Sequence, residues 1–147
     1  MEFLMLPKSK YLENATLEEL HNISKQHTNE LEFWAQELSF LQKMLDKHLI
    51  TIIHQEDMQH TQDLINRIDD IEGKRKKLQT AIQEHEHYLK NLLENPFSHD
   101  AQVYREEHNQ IEKLVFAFNQ QYKSLKSDLF QVIEHARHPE EDNKMLE

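Results

Sequence analysis

Apolar residues recur along this chain at alternating spacings of three and four, the repeat of a single helix face. The first stripe runs Leu17, Leu20, Ser24, His27, Leu31, Trp34, Leu38, Leu41, Leu45, His48 and Ile52. Continuing that phase would line the face with Gln55, Gln59, Gln62 and Asn66, a run of amides with nothing to bury. A register displaced by two residues gathers Thr61, Leu64, Ile68, Ile71, Arg75, Leu78, Ile82, His85, Leu89 and Leu92 instead. The lost phase, the β-branched run Thr51-Ile52-Ile53 and the capping residue Asp57 together predict a reversal at 53–57. A third stripe reads Tyr104, His108, Ile111, Val115, Phe118, Tyr122, Leu125, Leu129, Val132 and Ala136.

The punctuation agrees with this division. Thr16 followed by Glu19 forms a capping box: the hydroxyl accepts from a free N–H of the first turn and the carboxylate reaches back. Asn95-Pro96 closes the second helix, Ser98 or Asp100 caps the third, and Pro139 ends it, since the residue before proline is pushed out of the helical region. The sequence therefore predicts an all-α chain. An N-terminal leader (1–15) brings apolar residues that need a docking surface. Helices at about 16–53, 57–94 and 98–137 fold as an antiparallel up-down-up three-helix bundle, and an acidic tail (139–147) follows. Such helices are coiled-coil-like, each about 54 Å long at 1.5 Å per residue.

Helix 1 carries more apolar surface than one stripe needs. Phe33 and Phe40 stand one heptad apart with Met44 nearby, and helix 3 adds Leu114, Phe116, Phe130 and Ile133 outside its stripe. A broad core-facing stripe absorbs some of these. The alternative makes Phe33, Phe40 and Met44 an interface through which two copies complete a larger bundle. The segment Leu31-Glu32-Phe33-Trp34-Ala35-Gln36-Glu37-Leu38, with its tryptophan in the stripe, resembles a spectrin-type repeat, although the helices here are longer. That resemblance implies a three-helix architecture and no particular activity.

Composition narrows the chemistry. The 147 residues include no Cys and a single glycine, Gly73. Disulfide frameworks, thiolate zinc sites, cysteine nucleophiles and glycine-rich phosphate loops are all excluded. The six serines fall on helices or at caps, without the strained turn or oxyanion donors of acyl transfer. The apolar runs are too short to span a bilayer, and the start Met1-Glu2-Phe3-Leu4 lacks the basic and apolar regions of a signal peptide. These features predict a cytoplasmic, non-enzymatic protein whose partner is another protein or a second copy of itself, with no nucleic acid and no membrane. The formal charge of −10 argues against a nucleic-acid partner, and the run Lys74-Arg75-Lys76-Lys77 is expected to balance Glu37 and other carboxylates. Gly73 is expected to admit a neighbouring side chain to the backbone.

Eleven histidines remain to be explained. His27, His85 and His108 fall in the stripes, one per helix. Folding back at both reversals brings them level within about one helical turn, 5.4 Å. Ser24, Glu30, Glu84, Glu86, Glu107 and Glu112 lie close by. Their simplest role is a polar layer that fixes register. The alternative is a divalent metal, zinc or iron, held by His27, His85 and His108. No other cofactor is called for. The pairs Glu18/His21 and Glu84/His87 mimic diiron motifs, but a fourth helix and an inward His87 are missing. A second group, His48, His54, His60, His135 and His138, falls at the opposite end of the predicted bundle as a set of solvated ends. Protonating all eleven would carry the formal charge from −10 to +1, which suggests, as a third reading, an assembly that responds to pH near 6.

Overall fold

The structure, a computed structural model, describes residues 16–94 and 101–138. The leader, Asn95-Pro96, the caps Ser98 and Asp100, Pro139 and the tail lie outside the described residues. Four helices follow one another: α1 (Leu17–Lys47), α2 (Leu49–Gln55), α3 (Met58–Glu94) and α4 (Ala101–Arg137), with no strand among the described residues. The capping box forms as the sequence requires: Glu19 N donates to Thr16 Oγ1 and Thr16 N donates to Glu19 Oε1, both at 3.1 Å.

Three helices are expected from the stripes and four are present among the described residues, because the first is interrupted at His48. Its backbone sits at φ −107°, ψ 15°, outside the helical well, before the chain resumes as α2. The interruption immediately precedes the β-branched run Thr51-Ile52-Ile53, whose side chains crowd the preceding helical turn. Hydrogen bonding continues across the break: His48 N donates to Met44 O at 3.2 Å and Ile52 N donates to His48 O at 2.9 Å. Ile52 therefore still turns inward, while Ile50 stays exposed. Glu56 then becomes extended, at φ −99°, ψ 159°. Asp57 opens α3 with its Oδ1 accepting from His60 N at 2.6 Å, an N-cap that satisfies one of the free first-turn donors.

The chain divides into two compact units. In the first, residues 16–32 pack with 75–94 and 101–117. Its apolar cluster joins Leu20, Leu89, Leu92 and Tyr104, with Leu17, Ile23 and Tyr88 against it. Fully burying a Leu or Ile side chain stabilises a fold by roughly 1.5–3 kcal/mol. Arg75, the one charged residue in the α3 stripe, is only half-buried and donates from Nη1 to Gln79 Oε1 at 2.8 Å.

The second unit packs residues 33–74 with 118–138. Trp34 lies with its ring centroid 5.5 Å from Phe118 and 5.8 Å from Tyr122, and Leu38, Leu41, Ile68, Ile71 and Leu125 are buried in the same unit. Polar contacts fasten its flanks. Arg67 Nη1 donates to Asp128 Oδ2 at 2.7 Å. Two expectations are corrected here. Glu37 is answered not by the basic run but by the Tyr122 hydroxyl and by Lys126 Nζ at 3.0 Å, while Lys74 bonds Asp70 at 2.9 Å and Gln121 at 3.0 Å. A Lys four residues beyond an Asp on one helix reaches it without crossing to another element. Gly73 admits no close neighbour either: a Cβ added there would meet nothing within 4 Å.

Candidate functional site

The first unit buries a line of titratable side chains. Ser24, His85 and His108 are fully enclosed, His27 is 4% exposed and Glu112 is 5% exposed. Carboxylates and imidazoles rarely sit this deep unless they are paired. At the surface end, Glu107 Oε1 lies 2.9 Å from His85 Nδ1. His85 Nε2 lies 3.1 Å from His108 Nδ1. His108 Nε2 is 3.4 Å from Glu112 Oε1, and the same oxygen is 2.6 Å from His27 Nε2. The line thus runs Glu107, His85, His108, Glu112, His27, drawing on α1, α3 and α4. Only Glu107, whose side chain is 43% exposed, opens it to solvent.

Local sequence explains the spacing. His108 and Glu112 stand four apart on α4 and so share a face. Tyr104, one turn earlier on that face, stacks flat on His85 with centroids 4.0 Å apart and planes 8° apart. This ring fixes the His85 orientation. Burial drives the His85 pKa below its ordinary 6.5; Glu107 pulls it back and the neighbouring His108 pushes it down again. The Tyr104 hydroxyl is raised above its usual range, by burial first and then by the charge of Glu86. Tyr104 Oη, Ser24 Oγ, His27 Nδ1 and His108 Nε2 are sealed from solvent without a hydrogen-bond partner in the protein, so the 3.4 Å approach of His108 Nε2 to Glu112 is not a hydrogen bond. His21 Nδ1 pairs with Glu86 Oε2 beside this group.

The three histidines named as metal ligands are thus in one buried assembly, but not as a coordination sphere. Three ligand nitrogens must direct lone pairs at one point about 2 Å away. Here His85 Nε2 and His108 Nδ1 face each other, and His27 Nε2 is turned to Glu112. Among the described residues no group of three His, Asp or Glu side chains is arranged to hold a metal ion. The diiron-like pairs are also separate: Glu18, Glu84 and His87 are exposed.

Glu107 and Glu112 join the histidines, whereas Glu30 and Glu84 stay in solvent. In the second unit the other histidines remain at the surface. His135 Nδ1 is 3.8 Å and His60 Nε2 4.0 Å from Glu56, His138 pairs with Glu134 at 2.9 Å, and His54 is exposed.

The residues named as an interface divide by exposure. Phe33 is 59% and Phe40 58% exposed on α1, while Met44 is half-buried. In the first unit Leu114 and Val103 are exposed on α4. In the second unit Phe130 is exposed on α4, and Ile133 turns inward at 4%. No helix among the described residues is long and apolar enough to cross a membrane. No family model, curated protein or solved structure matches the chain.

Proposed function

We propose that this chain is a non-enzymatic helical interaction or scaffold protein, built as an antiparallel up-down-up three-helix bundle and self-associating through α1. The order of partners supports the topology in the second unit. From Arg67 to Lys74, α3 meets Asp128 and then Gln121, so partners on α4 descend as α3 advances. From Trp34 to Glu37, α1 meets Phe118 and then Tyr122 and Lys126, so α1 and α4 advance together. The single observation that carries the functional reading is the exposed aromatic pair Phe33 and Phe40, seven residues apart on one helix face.

The magnitude decides whether this pair can hold two copies together. At 59% and 58% exposure each ring leaves about 120 Å² accessible, taking ~200 Å² for a whole Phe side chain. Two copies meeting α1 to α1 would cover about 480 Å² of this surface, contributing about 12 kcal/mol at ~25 cal/mol per Å². Association costs roughly 4–15 kcal/mol in lost freedom, so this pair yields a micromolar dimer only at the lowest of these costs, and the surface around it must supply the rest. A two-fold contact of this kind sets the same patch against itself. Sedimentation equilibrium at tens of micromolar is the test. Wild type is expected at twice the monomer mass and Phe33→Gln/Phe40→Gln at the monomer mass, with unchanged helicity. A wild-type protein that sediments as a monomer throughout refutes the reading.

A further inference from the structure

Two exposed rings on α1 leave self-association short of surface, and the neighbouring face of α4 supplies more. In the second unit the seam between α1 and α4 is pinned where the Tyr122 hydroxyl and Lys126 Nζ, the latter at 3.0 Å, reach Glu37. Residues three, four and seven apart share a helix face. Phe33, Phe40 and Met44 therefore lie on the Glu37 side of α1, and Phe130 and Ile133 on the Lys126 side of α4. The two helices advance together here. One turn beyond the pinned pair Phe40 is level with Phe130, and a further turn sets Met44 level with Ile133. Burial follows this layout. Met44 is half-buried and Ile133 4% exposed, forming the floor of the seam, whereas Phe40 and Phe130 keep 58% and 48% of their surface open along its two edges.

We propose that this seam of the second unit is the self-association surface, with Phe130 as its third aromatic anchor, and that its occupant is the same seam of a second copy. Resting on the self-association through α1 proposed above, this widens the contact from one helix to two. Accessible area favours the wider contact. Phe33 and Phe40 leave about 240 Å² open per copy, taking ~200 Å² for a whole Phe side chain, and Phe130 adds about 100 Å². A stable contact covers roughly 800 Å² per partner around an apolar centre. The α1 pair makes about a third of that and the three rings about two-fifths. Lys43, Lys47 and Lys123, exposed beside them, extend the apolar area with their methylene stems while each ammonium stays in water. Shape points the same way. A lone helix offers a ridge, and an equal ridge laid against it covers only one flank of each ring. Two helices side by side offer a groove. A partner's ring inserted between Phe40 and Phe130 is enclosed on two sides, the setting in which aromatic residues dominate binding. A two-fold axis repeats that insertion in the other copy.

Sedimentation equilibrium of the full chain over a range of concentrations, giving a dimer Kd for each variant, tests the seam. Phe130→Gln is expected to weaken the dimer about a hundredfold or more, as Phe40→Gln does, because each substitution removes two rings from a two-fold contact. Phe130→Leu keeps an apolar side chain and should lose only about tenfold. Met58, 69% exposed at the start of α3, lies outside the seam, and Met58→Gln should leave Kd within about twofold of wild type. In a dimer of mixed isotopically labelled and unlabelled wild-type chains, nuclear Overhauser contacts are expected between the Phe130 ring of one copy and the aromatic protons of the other. That measurement decides even if Phe130→Gln does not fold. A wild-type dimer that a folded Phe130→Gln leaves intact, or one without intermolecular contacts to the Phe130 ring, overturns the seam while self-association through α1 stands. Equal weakening by Met58→Gln overturns it as well. A wild-type monomer at every concentration overturns both readings and leaves the seam to a different occupant.

Discussion

Consider replacing His27, Glu112 or both with leucine, which approximates the volume of either side chain without its polarity. His27 Nε2 and Glu112 Oε1 are 2.6 Å apart, with side chains 5% and 6% exposed. Without His27, Glu112 loses its shortest contact and retains His108 Nε2 at 3.4 Å. Removing one partner from a buried pair of this kind costs about 3 kcal/mol. Glu112→Leu strands the buried His27 Nε2, which loses a charged acceptor, again at about 3 kcal/mol, the upper end for a buried group left without its partner. In the double variant the carboxylate and His27 are both gone. Neither member of the pair is left stranded, and the expected cost is about 1–2 kcal/mol rather than about 6. The assay is the urea midpoint at fixed pH, converted with a common slope. In thermal terms each single variant should lose roughly 6–12 °C and the double about 2–8 °C. A double variant whose cost equals the sum of the singles within ~0.5 kcal/mol would show that the two side chains do not interact, and the buried line would fail at its firmest link.

Two further perturbations follow from the same geometry. Gly73→Ala should stabilise the protein by about 0.5–1 kcal/mol, because the helix position is open and glycine loses more backbone freedom on folding; a lower urea midpoint would contradict the open surroundings. At Glu37 burial pushes the carboxyl pKa up, but the Tyr122 hydroxyl and the Lys126 ammonium outweigh it and hold the group below its ordinary 4.5. A group depressed in the folded state gives stability that is present above 4.5 and lost as pH falls through the lower folded value. The urea midpoint of wild type should therefore fall more steeply below pH 4.5 than that of Glu37→Gln, and parallel curves would refute the assignment.

Much of the burial was legible from spacing alone. Every residue of the α4 stripe from Tyr104 to Ala136 is buried, and in α3 the exception is Arg75, whose long stem keeps its guanidinium outside. The two caps at Thr16 and Asp57 were legible for an equally local reason, since a short polar side chain satisfies the first-turn donors from within its own segment. The break at His48 was not. The stripe continues through it in phase from Leu45 to Ile52, so the hydrophobic pattern carries no trace of one residue leaving the helical well. Glu112 was legible only as a neighbour of the histidines. A carboxylate adjoining Ile111 reads as the edge of a stripe, and carboxylates at edges normally face water. The available signal was the four-residue step from His108, which sets an imidazole and a carboxylate on one face.

A polar line inside one unit also accounts for something the apolar contacts leave open. Leu, Ile and Val tolerate one another in many pairings, so stripes of them specify a face better than they specify a register. His85 removes that latitude. Sliding α4 by one heptad would replace His108 with Val115 opposite His85. The contact at 3.1 Å would be lost, and Glu112 would be carried away from His27. Each buried polar group left without its partner costs roughly 1–3 kcal/mol, so three such losses exceed what a shifted set of aliphatic contacts can return. The polar line costs the unit some stability relative to an apolar core, and in exchange leaves one alignment of its helices distinctly lower in free energy than its neighbours.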